Sequence, residues 1–368
     1  MAIRLCLLLL TLMPLAVGAQ PAADAPQPVR WHAVTQDLLD GQGWRETARP
    51  FDRLPARAEG VVRQPVWDLS RHSAGLSLRF TSDATRIRIR WTVTLDRLAL
   101  PHMPATGVSG LDVYAKDGGA WRFVGGARPT QSPTNDAEVI TGMAAVSREF
   151  LVYLPLYNGV SQLEIGVPEE AAFRFEPRAS SRPLVVYGTS ITQGCCASRP
   201  GMVYTAILGR RLGVPVINLG FSGNGKAEPE MARLLAELDP AVYVLDSLPN
   251  MTPEQVVERM PALIETIRAA RPHTPIVLVE HLLYPNSRFR PQKAADIASS
   301  NASLRRIHDA RRKAGDRFIT VVSSAALLGT DGDGTVDDSH PTELGFERMA
   351  DGLEPHLRRV LPREPRAR

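Results

Sequence analysis

The stretch LVVYGTSITQG, residues 184–194, sets a serine at the centre of a small polar turn that closes an apolar run. Leu184 to Tyr187 reads as a buried strand because β-branched and apolar residues dominate it and Gly188 stops it abruptly. Ser190 therefore falls at or just past the strand's carboxyl end, the edge of an open α/β sheet where ligands and catalytic side chains collect. A hydroxyl in that position suits nucleophilic chemistry. Such chemistry needs a base within reach, a group that orients the base, and donors for an oxyanion. The plain alternative is a Ser/Thr turn capping the next helix.

Of the eight histidines, His340 stands out. It lies in DGTVDDSHPTELGFERMA, just before a helix capped by Thr342, with Asp337 three residues upstream. Asp and His on one short loop let the carboxylate fix the imidazole tautomer while the other ring nitrogen faces a serine elsewhere. Asp338 is the rival orienter, one residue closer to His340. For the oxyanion, NLGFSGNGK follows the second strand of this region and offers the Gly223 N–H. VLDSLPNM follows the third and offers the Asn250 amide. Asp246, at that strand's end, reads as a satisfied turn carboxylate. Arg199, in CCASRPG, and His281, at the end of the fourth strand, are candidates for substrate contact; their plainer readings are a surface arginine and a structural histidine.

The serine turn, the FSGNG glycine, the asparagine after the third strand and DDSHP together resemble the SGNH (GDSL-type) hydrolase superfamily, from about Pro183 to Leu361. The resemblance implies Ser190 as nucleophile, with its own N–H, Gly223 and Asn250 as oxyanion hole. It further implies His340 as general base and Asp337 as its orienter, in a serine esterase that needs no cofactor or metal. GLDVY at 110–114 is similar to the G-x-D-L-Y signature of a β-rich domain that precedes one SGNH subgroup. Two departures stand out. The family's Gly-Asp-Ser is Gly188-Thr189-Ser190 here, and its Gly-x-Asn-Asp becomes Leu248-Pro249-Asn250-Met251.

Secreted SGNH enzymes with a leading β-rich domain resemble carbohydrate deacetylases, which implies a short acyl group, acetyl above all, on a saccharide. The segments expected around Ser190 are small and polar. They provide no large apolar wall from which a long acyl chain could draw its ~0.8 kcal/mol per buried methylene. A carbohydrate O-acyltransferase using the same serine, or a broad short-chain esterase, would read the same way. GFSGNGKA, residues 220–227, also fits the G-x-x-x-x-G-K of a P-loop nucleotidase, but alanine occupies position 227 where a hydroxyl must hold Mg²⁺. An α/β-hydrolase elbow needs G-x-S-x-G, and position 192 is threonine.

Two kinds of element must position these residues. From 31 to 178 the pattern has period two: Leu76, Leu78 and Phe80, then Ile87, Ile89, Trp91 and Val93, with Arg86, Arg88 and Arg90 on the other face. Hairpins are expected at the Thr81–Ala84 turn, at Asp117-Gly118-Gly119 and at Asn158-Gly159, which makes this region a β-sandwich. After EPRASSRP the grammar changes. From 182 to 361, five near-continuous apolar strands alternate with helical segments, the signature of a doubly wound parallel α/β sheet covered on both faces. Met231, Leu234, Leu235 and Leu238 share one helical face. Thr252-Pro253-Glu254-Gln255 is a capping box that opens a helix reaching about Ala270.

Residues 1–19 have the form of a secretory signal peptide ending at Ala19, which implies a secreted or periplasmic protein; 20–30 read as a Pro/Ala-rich lead-in and 362–368 as a tail. The formal charge is +4 with 22% charged residues. Its arginines are scattered, which argues against a nucleic-acid partner, and no later stretch is apolar for long enough to anchor the chain in a membrane. The remaining cysteines, Cys195 and Cys196, are adjacent, a spacing that disfavours a mutual disulfide, and are read as packing the serine turn.

Overall fold

The computed structural model describes residues 28–362. The expected leader and the tail beyond 362 lie outside the described residues. Of the lead-in only 28–30 are described, and Val29 already begins the first strand.

The amino-terminal half contains β1 (Val29–Ala33), β2 (Ser77–Ser82), β3 (Ile87–Val93), β4 (Leu111–Asp117), β5 (Ala120–Ala127), β6 (Thr134–Ile140), β7 (Arg148–Tyr153), β8 (Val160–Pro168) and β9 (Phe173–Phe175). They form two antiparallel sheets, ordered β1-β8-β3-β6 and β5-β4-β7-β2-β9. Period-two patterning puts Leu78, Phe80, Phe150 and Val152 of one sheet into a common core with Ile89, Trp91, Leu163 and Ile165 of the other. On the outer face of β3, Arg88 and Arg90 pair with Asp136, and Arg90 also with Glu164.

Only one of the three expected hairpins forms. β4 and β5 pair directly, with Asp117 opposite Ala120, because Gly118 and Gly119 both adopt positive φ as a tight two-residue turn requires. The other two connections cross between sheets: β2 pairs with β7 and β9, β3 with β6 and β8, and β7 and β8 also lie in different sheets. Alternating burial identifies a strand with one buried face but not the sheet it joins. At the second crossing, Asn158 binds the loop after β3, accepting from the Thr94 and Leu95 N–H groups and donating to the Leu95 carbonyl.

The carboxyl-terminal half is a five-stranded parallel sheet: β10 (Leu184–Gly188), β11 (Val216–Gly220), β12 (Val242–Asp246), β13 (Ile276–Val279) and β14 (Ile319–Val322), in the order β11-β10-β12-β13-β14. The α-helices among the described residues are α1 (Gln64–Ser70), α2 (Ala105–Val108), α3 (Ser190–Gln193), α4 (Tyr204–Leu212), α5 (Pro229–Glu237), α6 (Pro253–Ala270), α7 (Pro291–Lys313) and α8 (Glu343–Val360). Leu184, Val186, Val242 and Val244 face α4 and α8. Val185, Tyr187, Tyr243 and Leu245 face α5 and α6 on the opposite side. The apolar face of α5 is buried as its spacing predicts, and the Thr252–Gln255 capping box is complete. β10 is flanked by β11 and β12, so strand order reverses at its carboxyl end, the crevice where open sheets bind ligands.

Much of the chain between β1 and β2 packs away from the sandwich. Trp44, Leu54, Val62, Val66 and Trp67 lie against Val185, Tyr187, Ile217 and Leu219 of the parallel sheet. Arg53, 1% exposed, donates to the carbonyls of Asn218 and Gly220 on β11 and to those of Leu69 and His72 on its own side. Four carbonyl partners satisfy a guanidinium whose pKa burial lowers to about 9.

Candidate active site

Gly188 ends β10, Thr189 caps α3 by accepting the Ile191 N–H, and Ser190 is the first residue of that short helix. The Ser190 carbonyl accepts from the Gly194 and Cys195 N–H groups and from the Tyr157 hydroxyl of the sandwich. Gln193 bonds on two sides. Its amide nitrogen donates to the Leu156 carbonyl and to His72 Nδ1, and its oxygen accepts the Ser222 N–H. The serine turn is thus held by the parallel sheet, the sandwich and the loop after β11 together.

The Ser190 hydroxyl lies 2.9 Å from His340 Nε2. His340 Nδ1 lies 2.8 Å from Asp337 Oδ2, while Asp337 Oδ1 accepts the Ser339 and His340 N–H groups. A carboxylate on Nδ1 assigns the proton to that nitrogen and leaves Nε2 as acceptor toward the serine. Partial burial pushes the Asp337 carboxyl up, but the hydrogen bonds from the His340 ring and the two N–H groups outweigh it and hold its pKa at about 2. Asp338 faces elsewhere: its Oδ2 lies 3.2 Å from both Arg290 and Asn286.

Gly223 and Asn250 line the same cleft as Ser190 and His340, together with Ser222, Tyr284, Arg290 and Lys293. It is an open cavity of about 500 Å³. Gly223 has φ +68°, and a Cβ built there would meet no atom within 4 Å. Glycine suits that backbone conformation, and a side chain there would extend into open space. The Asn250 amide is best satisfied with Oδ1 accepting the Asn224 and Gly225 N–H groups at 3.1 and 3.2 Å, which turns Nδ2 toward the side where only acceptors lie. Ser190, as the first residue of a helix, has an N–H with no intrahelical partner.

The P-loop reading of 220–227 does not survive the geometry. The Asn224 and Gly225 N–H groups turn back to the Phe221 carbonyl, Ala227 N–H donates to the Tyr187 hydroxyl and Lys226 N–H to Glu228. A Cβ on Gly225 would stand 1.9 Å from the Gly188 carbonyl oxygen. The loop packs down on the serine strand, and the N–H groups of residues 224–227 are occupied internally.

Arg199 and His281 are not among the residues lining the cleft with Ser190. Arg199 is committed to Asp112 and the Tyr114 hydroxyl, both at 2.7 Å, and lies over the Phe123 ring at 3.8 Å. His281 is buried. Its Nδ1–H donates to the Leu282 carbonyl at 2.8 Å, and burial lowers its pKa to about 4. Asp246 accepts from Tyr204 and Thr192 at 2.7 and 3.0 Å beneath the serine turn, a satisfied carboxylate. Tyr284, Arg290 and Lys293 were not legible in advance, because no motif marks the loop after β13 or the first turn of α7. Neither was His102, whose ring lies 5.7 Å from that of His340.

Comparison with known proteins places these features. Residues 181–358 match the GDSL-like lipase/acylhydrolase family, and residues 29–173 match the G-x-D-L-Y domain found at the N-terminus of SGNH-hydrolase-type esterases. A Bacteroides ovatus protein assigned to the GDSL-like lipases is 34% identical, with a TM-score of 0.85 over 90% of this chain and 98% of that one. A salicylyl-acyltransferase from a tetracycline biosynthetic pathway shares the fold at 19% identity, TM-score 0.74, over 91% of this chain and 98% of that one. So does a family two carbohydrate esterase from Clostridium thermocellum in complex with cellohexaose, at 15% identity, TM-score 0.54, over 78% and 92%. No curated protein matched the chain. Among the described residues no helix is long and apolar enough to cross a membrane. The chain belongs to the GDSL-like, SGNH-type esterase family, and it is a carboxylic ester hydrolase.

Proposed function

We propose that this esterase removes short acyl groups, acetyl above all, from a saccharide by a serine acyl-enzyme route. The observation that carries the reading is the unbroken chain from Ser190 Oγ through His340 to Asp337, with links of 2.9 and 2.8 Å. His340 Nε2 takes the serine proton as Oγ attacks the ester carbonyl, and Asp337 stabilises the imidazolium that forms. The oxyanion meets the Ser190 and Gly223 N–H groups and the Asn250 amide. His340 then returns the proton to the leaving alcohol, and water, deprotonated by the same nitrogen, releases the acid.

The cleft supports the small acyl group. Its lining is mainly Ser222, Gly223, Asn250, Arg290, Lys293, Asp338 and Ser339, with Ile191, Pro249 and Tyr284 as the apolar surface. That leaves little for a long chain to bury and many donors for hydroxyl-rich ligands. The leader-like residues 1–19 support action outside the cytoplasm. Measuring kcat/KM for acetyl, butyryl and octanoyl esters of one alcohol, and acetate release from acetylated sugars, tests the reading. Acetyl preference with release from a sugar is expected, and octanoyl preference would overturn it. Acyl transfer to an added sugar in preference to water would identify an acyltransferase instead.

A further inference from the structure

Four side chains meet behind the serine turn: His102, from the loop before α2, with Cys195, Cys196 and His340. One ligand atom from each lies within 4.8 Å of the other three. The two cysteines are free and buried, and His102 Nε2 lies 3.4 Å from Cys195 Sγ. Two thiols with two imidazoles form a donor set suited to borderline-soft d¹⁰ cations. A tetrahedral ion with Zn–S of about 2.3 Å and Zn–N of about 2.0 Å spaces its ligands about 3.3–3.8 Å apart, so closing on an ion asks for shifts of about 1 Å. The ester chemistry proposed above uses neither cysteine nor His102.

We infer that these four residues form a site for a divalent cation of the zinc–cadmium class, and that its occupancy arrests ester hydrolysis by capturing His340. The arrest rests on the role of His340 as base; the binding does not. Both ring nitrogens of His340 are already in use, Nε2 by Ser190 and Nδ1 by Asp337. Coordination through Nε2 removes the base from the serine. Coordination through Nδ1 removes its orienter. If Nε2 is the ligand, Asp337 becomes the carboxylate that supports a metal-bound imidazole, an arrangement that strengthens metal binding. Each thiol that coordinates gives up its proton to solvent, and no electron is transferred.

The test is titration of the reduced full-length protein with cadmium chloride, read both by the ultraviolet thiolate-to-cadmium absorption and by ester turnover. Saturation near one ion per chain is expected, with turnover lost over the same concentration range and restored by a chelator. Ser190→Ala, inactive under the proposed mechanism, should show the same absorption. His102→Asn keeps basal turnover and should need at least about tenfold more metal for both signals; a Cys195→Ser, Cys196→Ser double variant should lose the absorption. Absence of a saturable thiolate band would overturn the site, as would a band with turnover untouched, or inhibition unchanged in His102→Asn. Failure of the catalytic assignment shows separately, as metal-free turnover that persists in Ser190→Ala or His340→Ala.

Discussion

The Asp112 carboxylate, in the sandwich strand β4, lies 2.7 Å from the guanidinium of Arg199, in the loop that leads away from the serine turn. Asp112 is 1% exposed and also accepts the Gly201 N–H at 2.8 Å. The aspartate of the GLDVY segment therefore serves as a clamp between the two halves. Removing one partner of such a buried pair strands the other, typically at about 3–5 kcal/mol. Because Arg199 reaches partly to solvent, Asp112→Ala should cost about 2–3 kcal/mol in urea unfolding and lower turnover through the 195–201 loop. A change below about 0.5 kcal/mol would show the clamp to be idle.

Adjacent aspartates give the second contrast. Asp337→Asn should lower kcat by about 10⁴-fold, the scale of losing the correct tautomer in a Ser-His-Asp arrangement. Asp338→Asn, which loosens only Arg290 and Asn286, should stay within a few-fold. Steady-state kinetics on one acetyl ester decides it, and the reverse ranking would reassign the orienter.

The oxyanion donors separate by their effects on kcat and stability. Asn250→Ala should lower kcat by about 10²–10³-fold with little change in KM. Gly223→Ala should cost about 1–2 kcal/mol of stability, because φ +68° strains any other residue. Its methyl would clash with no protein atom, so a loss of activity beyond that strain would come from substrate excluded at the N–H.

Asp246 supplies the pH dependence. Burial raises its pKa to about 6, against hydrogen bonds from Tyr204 and Thr192 that lower it. The folded value lies above the unfolded value of about 4. Folding therefore takes up a proton between those limits, and this group's contribution to stability falls as pH rises from about 4 to about 6 and stays low above that. Asp246→Asn removes the titration. Unfolding free energies of the two proteins should converge toward pH 4 and separate toward pH 7 in favour of the variant. Parallel curves would show that Asp246 does not titrate in that window.

The parallel sheet was legible because each of its strands is apolar on both faces and ends in a polar turn. Ser190, Gly223 and Asn250 follow those ends within a few residues, and Asp337 and His340 share one short loop before α8, so their spacing marked them as candidates. The sandwich was legible as a class but not in its pairing, since the crossings at Ser82–Ile87 and at Asn158 depend on which sheet covers which. Arg199 read as a candidate substrate contact or a surface arginine because its partner, Asp112 in β4, lies far away in sequence. Residues 34–76 have no strong period, and nothing local indicates that Trp44, Leu54 and Trp67 belong to a sheet whose first strand begins at Leu184.

That last arrangement bears on how the chain is made. Trp44, Leu54, Val62, Val66 and Trp67 leave the ribosome before Val185 and Ile217, the residues that bury them. At about 5–20 residues per second, this apolar surface waits on the order of ten seconds for its partner, with Arg53 lacking the two β11 carbonyls it will hold. Neither half is a free-standing module: a cut at the boundary would leave one fragment with an uncovered greasy flank and the other with a bare sheet.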